Sequence, residues 1–256
     1  MPKISVCIAS YNGEKYIEEQ LKSILSQIKE NDEIIISDDF STDTTTFIIE
    51  SLNDTRIHLF KNSVKFKNHN FNFENTLKKA SGEIIFMADQ DDVWAPNKVR
   101  RFLEIFEITN ADLVISDCFL VNSKKDIIVD SFFKIRNSQS GFFKNFYKNS
   151  YVGCCMAFNR TILEASLPFP KYVFSHDTWI GLIGEMIGKT YFLREPLIYF
   201  RRHGENFSAH SLGDAFLTNK SSYSLLGSIL LRFTLLKMLI LRFLKLKAKC
   251  LKIKFF

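Results

Sequence analysis

The 256-residue chain predicts an α/β fold built on a doubly wound, mostly parallel sheet, and three observations carry that expectation. Through the first hundred residues, apolar runs of strand length alternate with segments whose apolar residues recur at helical spacing, the βαβα pattern of a layered sheet. Those runs stop abruptly in polar or acidic residues, which puts the chemistry-bearing loops at the carboxyl ends of strands, where open α/β sheets bind ligands. With 46% hydrophobic residues the chain can bury one large core, so one domain with an appendage is expected rather than two full domains.

The first strand is expected over residues 4–8. Behind it, Ile17, Leu21, Ile24, Leu25 and Ile28 form one apolar helix face against polar Glu18, Glu19 and Lys22. Strands follow over residues 33–37, 57–61 and 83–88, separated by helix-like sequence. Trp94-Ala-Pro-Asn97 reads as a turn and helix start, leading to a helix over 97–107 and a strand over 112–118. Between residues 122 and 148 the periodicity weakens, and irregular structure or a mobile loop is expected. Order returns over 151–159, in a helix over 176–187 and in strand-like pieces over 190–193 and 197–200.

Twenty-six phenylalanines must pack against each other or against a membrane. The cysteines Cys7, Cys118, Cys154, Cys155 and Cys250 are odd in number, lack zinc spacing and include an adjacent pair poorly placed to bridge, which fits a reduced compartment. The amino terminus enters strand-like sequence without a long apolar stretch, so no signal peptide and a cytoplasmic body are expected. The net charge of +6 is uneven: residues 220–256 hold nine Lys or Arg and no acid, leaving the rest with 25 cations against 28 acids.

The most informative segment is Met87-Ala-Asp-Gln-Asp-Asp-Val-Trp94. Asp89, Asp91 and Asp92 follow a strand and repel one another strongly without a counter-cation. A hard divalent ion with oxygen ligands, Mg²⁺ or Mn²⁺, suits them. A solvated acidic turn is the competing reading, and the position between a strand and a helix start weighs against it. Ala9-Ser-Tyr-Asn-Gly13 and Asp38-Asp-Phe-Ser-Thr-Asp43 are expected along the same sheet edge. There Tyr11 can stack on a base, and Asp38 or Asp39 can accept a hydrogen bond from a pyrimidine ring N–H. Ser41 reads equally well as a helix N-cap.

Neither a G-x-G-x-x-G nor a Walker pattern occurs, which argues against a dehydrogenase or a kinase and leaves diphosphate charge to a metal. In Ser175-His-Asp-Thr-Trp179, Asp177 either caps a helix or stands exposed at its start as a general base. Arg201, Arg202 and His203 follow a strand and can face a diphosphate.

Taken in order, Ser10-Tyr-Asn, Asp38-Asp39 with Ser41 and Thr42, Asp89-Gln-Asp-Asp-Val-Trp94, Gly153-Cys-Cys-Met156, His176-Asp177 and Arg201-Arg-His203 resemble family-2 glycosyltransferases of the GT-A fold, over roughly residues 3–210. The Asp-Gln-Asp-Asp-x-Trp form is the most specific of these motifs. The resemblance implies a nucleoside-diphosphate sugar donor, a metal held by Asp91 with Asp89 near ribose or diphosphate, Asp39 reading the pyrimidine with Asp38 beside it, and Asp177 as catalytic base. It places Ala9, Tyr11, Asp92, Arg201 and His203 on the nucleotide-sugar side, and Trp94, Gly153 and His176 on the acceptor side. One base without a second carboxylate as nucleophile implies a single, inverting displacement. Within the family the motifs resemble bacterial rhamnosyltransferase-like enzymes of O-antigen or capsule synthesis, implying dTDP-rhamnose or a UDP-sugar as donor and a polyprenyl-diphosphate-linked glycan as acceptor. Phe200, where a tyrosine is common, and the unclear Asn-x-Gly turn around residues 62–72 depart from the pattern.

Residues 1–219 are thus expected to form the catalytic domain and residues 220–256 a basic, apolar helical tail. Arg232, Lys237 and Arg242 interrupt the tail, so no uncharged run reaches the roughly 18 to 20 residues of a membrane span. Arg242, Lys245, Lys249 and Lys252 share a sector of the helical wheel, which suits an anionic membrane surface on the cytoplasmic face of the bacterial inner membrane. Packing on the core or on another subunit is the alternative. The cations alternate with aliphatic rather than stacking side chains, against nucleic acid. Two other functions compete: a sugar nucleotidyltransferase, disfavoured because Ser10-Tyr-Asn-Gly13 lacks a glycine-rich, basic loop, and an inactive membrane-docking partner, disfavoured by the joint presence of Asp89, Asp91 and Asp177.

Overall fold

A computed structural model describes residues 2–66, 68–202 and 225–253. Strands β1 (Ile4–Ser10), β2 (Glu33–Asp38), β3 (Ile57–Lys61) and β4 (Ile84–Asp89) run parallel in the order β3-β2-β1-β4. Every residue of β1 and β2 is buried, because helices cover both sheet faces and leave no solvent side for alternation to mark. The helices of this half are α1 (Ile17–Leu25), α2 (Thr45–Ser51) and α3 (His69–Leu77).

A short strand β5 (Val93–Trp94), helix α4 (Lys98–Thr109) and strand β6 (Leu113–Val121) follow, with β7 (Ile127–Val129) paired to β6. After helices α5 (Phe132–Arg136) and α6 (Phe142–Tyr147), strand β8 (Met156–Asn159) inserts antiparallel between β4 and β6. Helices α7 (Arg160–Ser166) and α8 (His176–Ile187) lead to β9 (Thr190–Arg201), which runs parallel to β6 and antiparallel to β5. The fold is therefore α/β with a mostly parallel sheet, as the alternation predicts.

Two expectations change. The pieces at 190–193 and 197–200 are one strand, whose register against β6 shifts at Asp117, opposite Pro196; proline cannot donate to the ladder and breaks the strand signal. Residues 122–148 are not a featureless loop: α5 and α6 are five and six residues long, too short for a helical period to register. Phe132 and Phe133 are buried, and Asp117 anchors this segment by accepting from Ser131 Oγ and from Phe133 N at 2.9 Å.

The tail is one helix, α9 (Leu225–Ile253). Leu239 is buried, and Leu235, Met238 and Leu246 pack partly against the core. Arg242 Nη1 donates to Leu167 O at 2.6 Å and Nη2 to Pro168 O, while Arg232 donates to Tyr147 O at 3.0 Å. Arg242 thus turns toward the core instead of joining an outward cationic sector, because the carbonyls of Leu167 and Pro168 after α7 offer it strong acceptors. The side chains of Lys249 and Lys252 lie outside the described residues. Among the described residues, no helix is long and apolar enough to cross a membrane.

Candidate active site

Parallel register brings three loops to one edge: Ala9 stands opposite both Ser37 and Asp89, and Ser10 opposite Asp38. Gln90 then clips the first loop to the third, accepting from Tyr11 N and donating from Nε2 to Tyr11 O, each at 2.9 Å. Gly13 is required by this clip, since a Cβ there would lie 2.5 Å from Gln90 Oε1. Asn12 ties the first loop to the second, donating from its N to Ser41 Oγ at 2.9 Å and accepting from Thr42 N at 2.8 Å.

Within the second loop the two acids part company. Asp38 is buried and accepts from Ser10 Oγ at 2.9 Å, Ser41 N at 2.9 Å and Ser41 Oγ at 2.5 Å, so it latches the loop rather than facing a nucleotide. Asp39 accepts from Phe66 N at 2.7 Å and stands beside the exposed Tyr11, whose ring carries Lys65 Nζ 3.9 Å from its centroid. The N-cap of α2 is Thr44 rather than Ser41 and makes no side-chain capping bond, while Asp43 before it accepts from Thr45 N at 3.0 Å.

At the end of β4, Asp89 is half-buried and its Oδ1 has no hydrogen-bond partner among the described residues. Burial, reinforced by the charges of Asp91 and Asp177, pushes its carboxyl up to about 8. Asp92 is almost fully buried and is likewise pushed well up, by burial and then by Asp91 and Asp89; its Oδ1 accepts from Arg201 N at 3.0 Å. Ligand atoms of Asp89, Asp92 and Cys154 lie within 4.8 Å of one another. Orphaned carboxylate oxygens among like charges fit a divalent cation, which would offset the desolvation that raises both carboxyls. Sequence spacing pointed to Asp89 and Asp91; it gave no hint that Cys154 closes the cluster from below.

Below the cluster, Lys98 is fully buried, donates to Cys154 O at 2.9 Å and lies 4.1 Å from the Trp94 ring centroid. Burial lowers its ammonium to about 8. Trp94 is 2% exposed against Phe86, so it belongs to the core, not to the acceptor side; its β5 pairing with β9 turns the indole inward. Arg201 is also buried. Its Nε donates to Asp91 O at 2.8 Å, Nη1 to Ser123 O at 2.7 Å and Nη2 to Glu19 at 2.7 Å, so the guanidinium braces the acidic loop rather than reaching for a diphosphate. His203 lies outside the described residues.

Asp177 opens α8, half-buried, and its carboxyl is raised by burial against hydrogen bonds from Ser175 and Thr178. Those bonds fall on Oδ1, from Ser175 Oγ, Thr178 N at 2.5 Å and Thr178 Oγ1 at 3.3 Å, and none of them engages Oδ2. His176 beside it is buried: Asn70 Oδ1 accepts from its N at 2.9 Å and from its Nδ1 at 3.1 Å. A Cβ on Gly153 would lie 2.7 Å from His176 Nε2. Gly153 thus packs directly against His176 and beside Asp177, whose Cβ would lie 3.6 Å from a Cβ at that position.

Comparison with known proteins decides the family. The model for glycosyl transferase family 2 matches residues 5–167, well over half of the chain. The chain belongs to that family. As a family-2 glycosyltransferase it is 34% identical over 216 residues to WfaP of Escherichia coli, a UDP-Glc:alpha-D-GlcNAc-diphosphoundecaprenol beta-1,3-glucosyltransferase, covering 82% of this chain and 81% of that one. It is 27% identical over 218 residues to the dTDP-rhamnosyl transferase RfbG of Shigella flexneri, covering 78% and 72%. Residues 1–349 of S. aureus TarS with UDP-GlcNAc share the fold at TM-score 0.66 and 21% identity, over 80% of this chain and 60% of that one. The mannosyltransferase PcManGT from Pyrobaculum calidifontis, solved with GDP-Man and Mn²⁺, shares it at TM-score 0.62 and 21% identity, over 82% and 60%. The family-2 chain thus spans about three fifths of either solved structure. Its GT-A-like sheet agrees with the resemblance read from the motifs.

Proposed function

We propose that this glycosyltransferase moves a sugar from a nucleoside-diphosphate donor, dTDP-rhamnose or a UDP-sugar, to a hydroxyl of a polyprenyl-diphosphate-linked glycan, with inversion at the anomeric carbon. The observation that carries the reading is the meeting of the acidic loop after β4 with the start of α8: ligand atoms of Asp89, Asp92 and Cys154 lie within 4.8 Å of one another, and a Cβ on the adjacent Gly153 would lie 3.6 Å from Asp177 Cβ. Asp177 Oδ2 takes the acceptor proton as the hydroxyl attacks. Asp39 and Tyr11 receive the base, and Arg201 holds the backbone of Asp91 in place for the diphosphate side. Asp89 with Asp91, and Asp92 whose ligand atom lies in the same cluster, would hold Mg²⁺ or Mn²⁺, which when bound offsets the charge gathering on the departing diphosphate. The names of WfaP and RfbG support these two donor classes, and that of WfaP supports a diphosphoundecaprenol-linked acceptor.

Helix α9 supports a peripheral position on an anionic membrane, at the cytoplasmic face where such an acceptor would be presented. While one side packs on the core, Ile229, Phe233, Leu236, Ile240 and Leu244 form an exposed row at spacings of three and four, with Leu230 and Leu241 beside it. Lys237, Lys245 and Lys247 are exposed too, and Phe143 and Tyr147 on α6 extend the patch. Apolar side chains mixed with cations suit the headgroup boundary.

Thermal unfolding with UDP, dTDP, GDP and CDP, each with and without Mn²⁺, tests the reading. One nucleotide at about a hundredfold its Kd should add about 2.7 kcal/mol of stability, and only with metal. Asp177→Asn should keep that stabilisation and lose turnover. No response to any nucleotide, or full turnover in the variant, overturns it.

A further inference from the structure

We propose that His69 contacts the sugar carried by the donor and contributes to its selection. The inference rests on the donor and base assignments above and adds a residue that no motif in the sequence points to.

His69 begins α3, whose start is fixed where Asn68 accepts from Asn70 N at 2.9 Å. Asn70 then pins this turn to α8: its Oδ1 accepts from His176, and its Nδ2 donates to Val173 O at 3.3 Å. The His69 ring sits edge-on to Phe73, with centroids 4.8 Å apart, and 5.2 Å from His176, so its orientation is set by packing. Its Nε2 lies 4.0 Å from Asp89 Oδ1, too far for a direct hydrogen bond, and its side chain is 31% exposed. The charges of Asp91 and Asp177 both act on it. A sugar passing from a diphosphate held by Asp89 and Asp91 to a hydroxyl activated by Asp177 must lie between those acids, and His69 stands there.

The chemistry of the ring agrees with that position. An imidazole can donate from one ring nitrogen and accept at the other, which matches a sugar hydroxyl that both donates and accepts.

The test is calorimetric titration of the wild type, His69→Ala and His69→Gln with UDP, UDP-glucose, dTDP and dTDP-rhamnose in the presence of Mn²⁺. His69→Ala should bind the bare nucleotide as the wild type does and bind its sugar form about five- to tenfold more weakly, the worth of one hydrogen bond. His69→Gln, whose amide reaches toward the Nε2 position, should recover most of the loss. Equal weakening toward the bare nucleotide and its sugar form would assign His69 to the diphosphate or cation and overturn the proposal. Unchanged affinities in both variants would overturn it as well. A wild type that binds none of the four ligands refutes the donor reading first, whereas a wild type that binds normally beside unaltered variants refutes the role of His69 alone.

Discussion

Arg201→Lys separates bracing from ligand binding. In the structure the guanidinium makes three side-chain bonds in three directions, to Asp91 O, Ser123 O and Glu19, lies over the Tyr16 ring at 4.6 Å, and is only 3% exposed. An ammonium is a single point and cannot span that fork, so at least two acceptors lose their partner. At about 1.5–3 kcal/mol for each bond to a charged group, the loss of two is about 3–6 kcal/mol. For a chain of this size each kcal/mol moves Tm by roughly 2–4 °C, which gives a fall of about 10 °C. Scanning calorimetry reads this directly, and nucleotide titration below the transition reads binding. A Tm within about 2 °C of wild type, together with nucleotide binding weakened tenfold or more, would show that Arg201 faces the diphosphate and that the bracing role is wrong.

Three further outcomes are expected. Because folding raises the Asp89 carboxyl to about 8 from an unfolded value near 3.9, its contribution is complete below pH 4 and drains away as pH rises toward 8; cation-free protein should therefore lose Tm over that window, Asp89→Asn should flatten the fall, and Mn²⁺ should protect most at pH 8. A Tm in chelator that does not vary with pH would refute this. Gly153→Ala drives a methyl against the buried His176 ring and should cost about 1–3 kcal/mol, with kcat down roughly ten- to a hundredfold as Asp177 shifts, while nucleotide affinity holds; an unchanged kcat would separate Gly153 from the base. Phe233→Glu with Ile240→Glu removes two exposed apolar side chains of α9 and should weaken co-sedimentation with anionic vesicles by roughly a hundredfold, leaving Tm in place; undiminished sedimentation would refute the membrane face.

The amino-acid order was enough for the βαβα alternation, the acids at the end of β4 and the start of α8, because strand-length apolar runs and helix periods are local properties of the chain. Local pattern also told where loops meet an edge, since parallel pairing aligns the carboxyl ends of successive strands. It failed where a side chain's meaning depends on what surrounds it. Asp38 and Asp39 are neighbours of one type, yet Asp38 is consumed by Ser10 and Ser41 and only Asp39 lies beside Tyr11. Trp94 and Arg201 read as site residues and turned inward, one into the core beside Lys98, the other onto backbone carbonyls around the acidic loop. His69, Cys154 and Lys98 carry no spacing signal; they reach the acids only because α3, the turn before β8 and α4 converge from distant parts of the chain. Arg242 and Lys245 share one sector of the helical wheel, yet packing divided them, Arg242 toward the protein and Lys245 toward solvent. Elements and their polar ends follow from amino-acid order, because short-range sterics and periodic burial dictate them. Which charges are buried, paired or left open emerged from tertiary packing, because desolvation and hydrogen-bond partners are set by residues far away along the chain.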